Sequence, residues 1–358
     1  MKIRKLVCIF LIITLLLSGC GKANTSSTDS STSKATDSQD ITSDDSDESS
    51  DNSDESESEP EAKSYTFEPH LHTAFLSEFI GDDRLQSMYN LIDAIREGKD
   101  TFECLDEETY KICTSEVVLS DFYPPACVYV TGESNDGTTP YENGIGRIYY
   151  TIPKEEFMEK CAAFENEVNR ILSETVKVNY TDFEKCLALY EFVTVNFEYN
   201  YGEWPGYEPQ GATFHCTLYK TGICCEIASV YTYLLQTCGV DAIDISGSDH
   251  EWTYVRIDNE GYHIDPTWGL HYEDMDLSLM YFMETDEKRY EDGLDTSNLR
   301  FGSVYYYTGG TYADMNKYTA TSKKYSTLWN YSYVDIDRKK KILYYKDFFD
   351  DKIMEFEY

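Results

Sequence analysis

Apolar residues are spaced along this chain in several different rhythms, and each rhythm marks a different kind of segment. Lys2, Arg4 and Lys5 precede an uncharged apolar run, Leu6 to Leu17, that is too short to span a bilayer comfortably as a mature helix. From Gly21 to Lys63 the rhythm stops: Ser, Thr, Asp, Glu, Asn and Ala dominate, and Ile41 is the one large apolar residue. Such a stretch has too little to bury to fold. From Ser64 onward the spacing is that of a folded protein. A helix is predicted over Leu85 to Arg96, with strand-like pieces at Ala126 to Val130 and Ile148 to Ile152. Pro153 stands where a helix can begin, and Phe157, Cys161, Phe164, Val168 and Ile171 then recur every three or four residues. Thr181 and Glu184 have capping-box spacing, and the helix they open, Asp182 to about Asn196, is apolar through Phe183, Leu187, Tyr190 and Val193. A Tyr- and Gly-rich connection, Phe197 to Gly211, includes Trp204-Pro205-Gly206 and reads as a loop able to line a cleft.

The next segment combines the clearest periodicity with reactive side chains. Ile223, Ile227, Val230, Tyr231 and Leu234 form a helical stripe between Thr221 and Gly239, and Gly239 fits the C′ position. A strand follows through Val240, Ala242 and Ile245, a second runs from about His250 to Ile257, and a third spans Tyr262 to Asp265. Met280 to Tyr290 reads as helical. Tyr331 to Tyr358 reads as a carboxy-terminal hairpin around a charged turn at Asp337 to Lys341.

Composition adds an address and an exclusion. The chain has 358 residues, 32 Tyr, 17 Phe and a formal net charge of −36, so its surface would repel nucleic acid and none is expected as a partner. The segment 21–63 holds thirteen acids against Lys22, Lys34 and Lys63. These like charges repel one another and extend it as a tether. Its acidic runs lack the turn Gly of a calcium loop. Leu17-Ser18-Gly19-Cys20 resembles the bacterial lipobox. That resemblance implies removal of residues before Cys20, lipid modification of Cys20 and a protein anchored on the outer face of the cell membrane. The expected organisation is a signal peptide over 1–20, the tether over 21–63, a mixed α/β region of unassigned role over 64–154, a catalytic core over 155–300 and a β extension over 301–358.

The chemistry centres on Cys224, His250 and Asp265. Cys224 falls in the first turn of its helix, where unpaired N–H groups and the helix dipole favour a thiolate, and where its own N–H is placed to help hold an oxyanion. On the second strand His250, Trp252 and Tyr254 share a face, and the connection to the third strand puts Asp265 on that face too. A Cys nucleophile, a His base and an Asp that orients the His are what amide attack requires. Gly222-Ile223-Cys224 with Ala228, His250 with Trp252, and Asp265-Pro266-Thr267-Trp268 together resemble, in order, the three blocks of the transglutaminase-like family. The resemblance covers about residues 155 to 290. It implies an α+β, papain-like core in which the helix bearing the Cys packs on an antiparallel sheet bearing the His and Asp. The implied activity is a thiol enzyme acting on peptide or glutamine side-chain amides through an acyl-thioester, with no cofactor. Cys225 and Glu226-Ile227 depart from the small or aromatic residues more common after the family's Cys.

Rival readings stand beside these. Cys225 lies about 100° around the helix from Cys224 and reads as packing. His263 shares the strand face of Asp265 and is the competing base, while Trp252, Pro266 and Trp268 read as core and turn residues. If the turn is centred on Asn259 and Glu260, Asp265 lies opposite Tyr254, four residues from His250, and a shifted register or bulge must close the gap. Eight cysteines (104, 113, 127, 161, 186, 216, 225 and 238) are available for disulfides in an oxidising compartment, or are simply buried. His215-Cys216 and Cys224-Cys225 lack zinc-ligand spacing, so no metal is expected. The alternative function is a binding or scaffolding module that keeps the fold without turnover.

Overall fold

The computed structural model describes residues 63–134, 137–202, 212–271 and 275–358. The expected signal peptide with Cys20, all of the acidic tether but Lys63, and Trp204-Pro205-Gly206 lie outside them. The described chain mixes helix and sheet.

Its centre is a three-stranded antiparallel sheet in which His250–Ile257 lies between Asp241–Gly247 and Glu260–Ile264. The Cys224–Thr237 helix packs on the face carrying Asp244 and Thr253. Thr232 donates to Asp244, the Thr232 and Thr253 hydroxyls are 2.9 Å apart, and Ser229 donates to Asp244 over 2.8 Å. His250 and Trp252 belong to the opposite face, because side chains alternate along a strand. That face is covered by an aromatic cluster in which Tyr254 and Phe75 both pack on Phe301, and Phe301 on Tyr318.

Two helices back the Cys224 helix, the first amphipathic and the second buried over most of its surface. The Lys154–Thr175 helix buries Phe157, Cys161, Phe164, Val168 and Ile171, the stripe read from the sequence, and Phe164 meets Tyr233 at 5.5 Å between ring centres. The Asp182–Asn196 helix opens with the expected capping box, in which Thr181 accepts from Glu184 N–H and Glu184 accepts from Thr181 N–H at 2.7 Å. Its Cys186 carbonyl accepts from the Tyr231 hydroxyl at 2.9 Å.

Four expectations change. Ala126 to Val130 is not a strand: Pro124–Tyr129 is helical, opened by the two prolines in its first turn, and only Val130–Thr131 is extended. A short apolar run does not by itself separate helix from strand. Of Met280 to Tyr290, only Asp286–Glu291 is helix, because the residues before it are drawn into the sheet: Glu284 exchanges backbone bonds with His263, and Tyr281 O accepts from Asp265 N–H. The carboxy-terminal hairpin is a three-stranded meander, Tyr331–Asp337, Ile342–Asp347 and Ile353–Glu357, with a bulge between Tyr333 and Asp335. The turn between the second and third central strands is centred on Asp258 and Asn259, both left-handed with φ of 53° and 65°. Asp and Asn tolerate that conformation, and it matches the twist of a two-residue hairpin.

Candidate active site

The turn at Asp258-Asn259 sets the register Ile264 opposite Thr253. Continued by one residue, it brings Asp265 to the level of Trp252, two positions from His250 instead of four. Asp265 Oδ2 lies 2.7 Å from His250 Nε2. No bulge is needed: moving the turn centre back by one residue removes the expected gap.

His250 is the first residue of its strand, so its ring sits at the end of the sheet beside the opening of the Cys224 helix. With Nε2 engaged by Asp265, Nδ1 is the nitrogen left for the thiol, and the imidazole is near enough to Cys224 to lower its pKa. Cys224 itself is positioned by a tight approach. Gly222 pairs with Tyr199 in a short parallel ladder, and a Cβ at Gly222 would come 2.8 Å from Cys216 Sγ and 2.9 Å from Glu226 Cβ. Glu226 in turn accepts from the Ile223 N–H at 2.8 Å, which fixes the start of the helix. Cys224 is half-buried, and both Ile223 before it and Trp268, which stacks on the His250 ring, are exposed.

The electrostatics favour an ion pair. Burial raises the Cys224 pKa, but the hydrogen bond and charge of His250, with the backbone N–H groups of Glu251 and Cys225, bring it below the ordinary thiol value. Burial works against a charged His250 as well, yet Asp265 and Cys224 together raise it to about 9. Cys225, one residue on, lacks the imidazole, and burial pushes its thiol up to about 12. Glu251 is pushed above the usual carboxylate range by burial and by the charges of Asp244 and Asp121.

His263, the rival base, is fully buried and engaged elsewhere: Trp252 donates to its Nδ1 at 3.0 Å, and its Nε2 lies 2.8 Å from Asp286. Desolvation keeps it below the ordinary histidine value. Trp252 is completely buried, whereas Trp268 is 36% exposed and stacks on His250 with 5.0 Å between ring centres.

One site residue escaped the sequence reading. Arg289, fully buried, donates to Asp265 Oδ2 at 2.7 Å and to Glu284 Oε2 at 3.0 Å. A buried arginine on a six-residue helix leaves no periodic trace, and nothing in its neighbours announces its partner. The nine cysteines of the described chain are free thiols, six of them buried. Among the described residues no group of three or more His, Cys, Asp or Glu is arranged to hold a metal ion.

Residues 169–267 match the family model described as the transglutaminase-like superfamily. The chain carries a transglutaminase-like domain. This domain starts inside the Lys154–Thr175 helix and ends two residues after Asp265, so it takes in the Cys224 helix and the central sheet. The transglutaminase-like superfamily typically uses a cysteine. No curated protein matches the chain.

Proposed function

We propose that the transglutaminase-like domain is a thiol enzyme that cleaves or transfers peptide or glutamine side-chain amides, with Cys224, His250 and Asp265 as its catalytic set. The Cys224 thiolate attacks the carbonyl carbon and a tetrahedral oxyanion forms. The Cys224 N–H, in the first turn of its helix, is placed to help hold it. The C–N bond then breaks, the leaving nitrogen takes the proton of the His250 imidazolium, and an acyl-thioester remains on Cys224. His250, neutral again, accepts a proton from the incoming water or primary amine. The thioester bond breaks to give a carboxylic acid or a new amide, and the thiolate–imidazolium pair returns. Asp265 holds the ring in the orientation that points Nδ1 at the sulfur.

The supporting observation is the 2.7 Å contact between His250 Nε2 and Asp265 together with the lowered Cys224 thiol on the other side of the ring. The lipobox-like Leu17 to Cys20 adds the proposal that the enzyme acts outside the cell, held by a lipid on Cys20 and a charged tether.

The test is mild alkylation with peptide mapping, followed by turnover of a peptide library with and without a primary amine. Cys224 should be modified first and Cys224→Ser should be inactive. Product formed only as acid marks a hydrolase, and amine incorporation marks a transferase. Equal reactivity of all thiols with no turnover would leave a non-catalytic binding module as the reading, and turnover by Cys224→Ser would rule out Cys224 as the nucleophile.

A further inference from the structure

Arg289 belongs to no block of the transglutaminase-like pattern, yet every group around Asp265 converges on it. Its guanidinium lies over both indoles of the site, with Cζ 4.5 Å from the Trp252 ring centre and 4.7 Å from that of Trp268. The same two indoles flank the His250 ring, at 5.7 Å with a 22° interplanar angle and at 5.0 Å with 16°. Imidazole and guanidinium therefore share the surroundings of one pair of tryptophans, and the Asp265 carboxylate joins them. Its Oδ2 accepts from His250 Nε2 and from Arg289 Nη2 at 2.7 Å each, while its Oδ1 accepts from Trp268 N–H at 3.0 Å. Arg289, Asp265 and Glu284 are all shut off from solvent.

We propose that Arg289 is a positioning residue for the site: it fixes the Asp265 carboxylate against His250 and neutralises its charge, so that the proton on His250 is balanced by the Cys224 thiolate. The proposal rests on the thiol-enzyme reading. In this buried medium an unpaired charge is costly, so the charges must balance. With Arg289 present, Asp265 and Arg289 cancel, as do His250 and Cys224. Without it, Asp265 and His250 cancel each other and the thiolate is left without a counter-charge. A guanidinium suits the task because it stays charged at any working pH and its planar fork reaches Asp265 and Glu284 together while its faces lie on indoles. Burial raises Glu284 to about 8 against the pull of Arg289, so near neutrality Glu284 takes little of the guanidinium charge away from Asp265.

The experiment measures the rate of Cys224 alkylation by iodoacetamide against pH, by peptide mapping of the full chain, in wild type, Arg289→Met and Arg289→Lys. Folding is followed by circular dichroism. Tyr199, Cys225 and Glu251, which also face the Cys224–His250 pair, are unchanged in both variants. In Arg289→Met the midpoint of the rate curve should move up by about one pH unit or more, because loss of a nearby counter-charge disfavours the thiolate. Arg289→Lys keeps the charge and loses the fork, so its midpoint should stay with wild type while kcat on a turned-over peptide falls about tenfold at constant KM. A folded Arg289→Met with a wild-type midpoint overturns the proposal. So does Arg289→Lys with wild-type kcat, and that variant decides the matter if the methionine variant does not fold. Wild-type Cys224 reacting no faster than the buried thiols would instead sink the thiol-enzyme reading, and this proposal with it.

Discussion

Cys224 and Cys225 are adjacent in sequence, and the fold gives them opposite properties. One thiol meets His250 and two backbone N–H groups and is lowered; its neighbour is burdened by burial and nearby acids and rises to about 12. The ionisation of the pair Cys224–His250 predicts a bell-shaped pH dependence of kcat/KM. Below the lowered Cys224 value the thiolate is protonated and attack fails. Above about 9 His250 loses the proton that the leaving nitrogen needs, and activity falls again. An acid limb at the ordinary thiol value would sink the ion-pair account. His250→Gln removes the proton carrier and should cost about 10²–10⁴-fold in kcat, as general acid–base catalysis typically contributes that much; steady-state rates on the best library peptide check it. At this scale the sequence was informative where spacing is local. The order and spacing of Cys224, His250 and Asp265 pointed to one site. The partners of His263 were hidden, since Asp286 comes to it from a separate helix and Trp252 from the neighbouring strand.

Elements were legible in proportion to how locally they are determined. The Asp182–Asn196 helix was read to the residue because its capping box lies within its own first turn. Thr181→Ala removes the oxygen that accepts Glu184 N–H and should destabilise the protein by about 1 kcal/mol, seen as a lower urea midpoint at unchanged slope. An unchanged midpoint would mean that the cap contributes nothing in this context. The short helix at Asp286–Glu291 was misread as longer because the residues before it, Tyr281 and Glu284, answer to Asp265 and His263 and not to their own sequence. The central hairpin shows how one position matters: choosing Asp258-Asn259 over Asn259-Glu260 as the turn centre moves Asp265 two residues closer to His250. The left-handed φ angles at Asp258 and Asn259 are the physical reason for the choice, and both residue types were visible beforehand.

Across the whole molecule, the Asp182–Asn196 helix of the family domain is secured by residues far along the chain. Glu184 is buried, and its Oε1 accepts from Lys341 at 3.0 Å and from the Tyr358 hydroxyl at 2.6 Å. Tyr358 also stacks on Phe183 with 4.7 Å between ring centres. Burial raises the Glu184 pKa, but these bonds and the Thr181 N–H outweigh it and hold it below 4.5. A carboxylate with a depressed folded pKa stabilises the fold above its unfolded value, and the contribution disappears as pH falls through the folded one. Tyr358→Phe should therefore cost about 1.5–3 kcal/mol near neutrality, the range for a hydrogen bond to a charged group. The cost should shrink once Glu184 is protonated; urea titrations at two pH values compare the difference, and a pH-independent one would assign the loss to packing alone. None of this was legible, because no local pattern links position 184 to positions 341 and 358.

The tie at Glu184 also orders events in time. A ribosome adds Glu184 157 residues before Lys341 and 174 residues before Tyr358, the partners of that buried carboxylate. Until Lys341 and Tyr358 are made, Glu184 Oε1 lacks both of its partners, so burial of that carboxylate is coupled to docking of the carboxy-terminal meander.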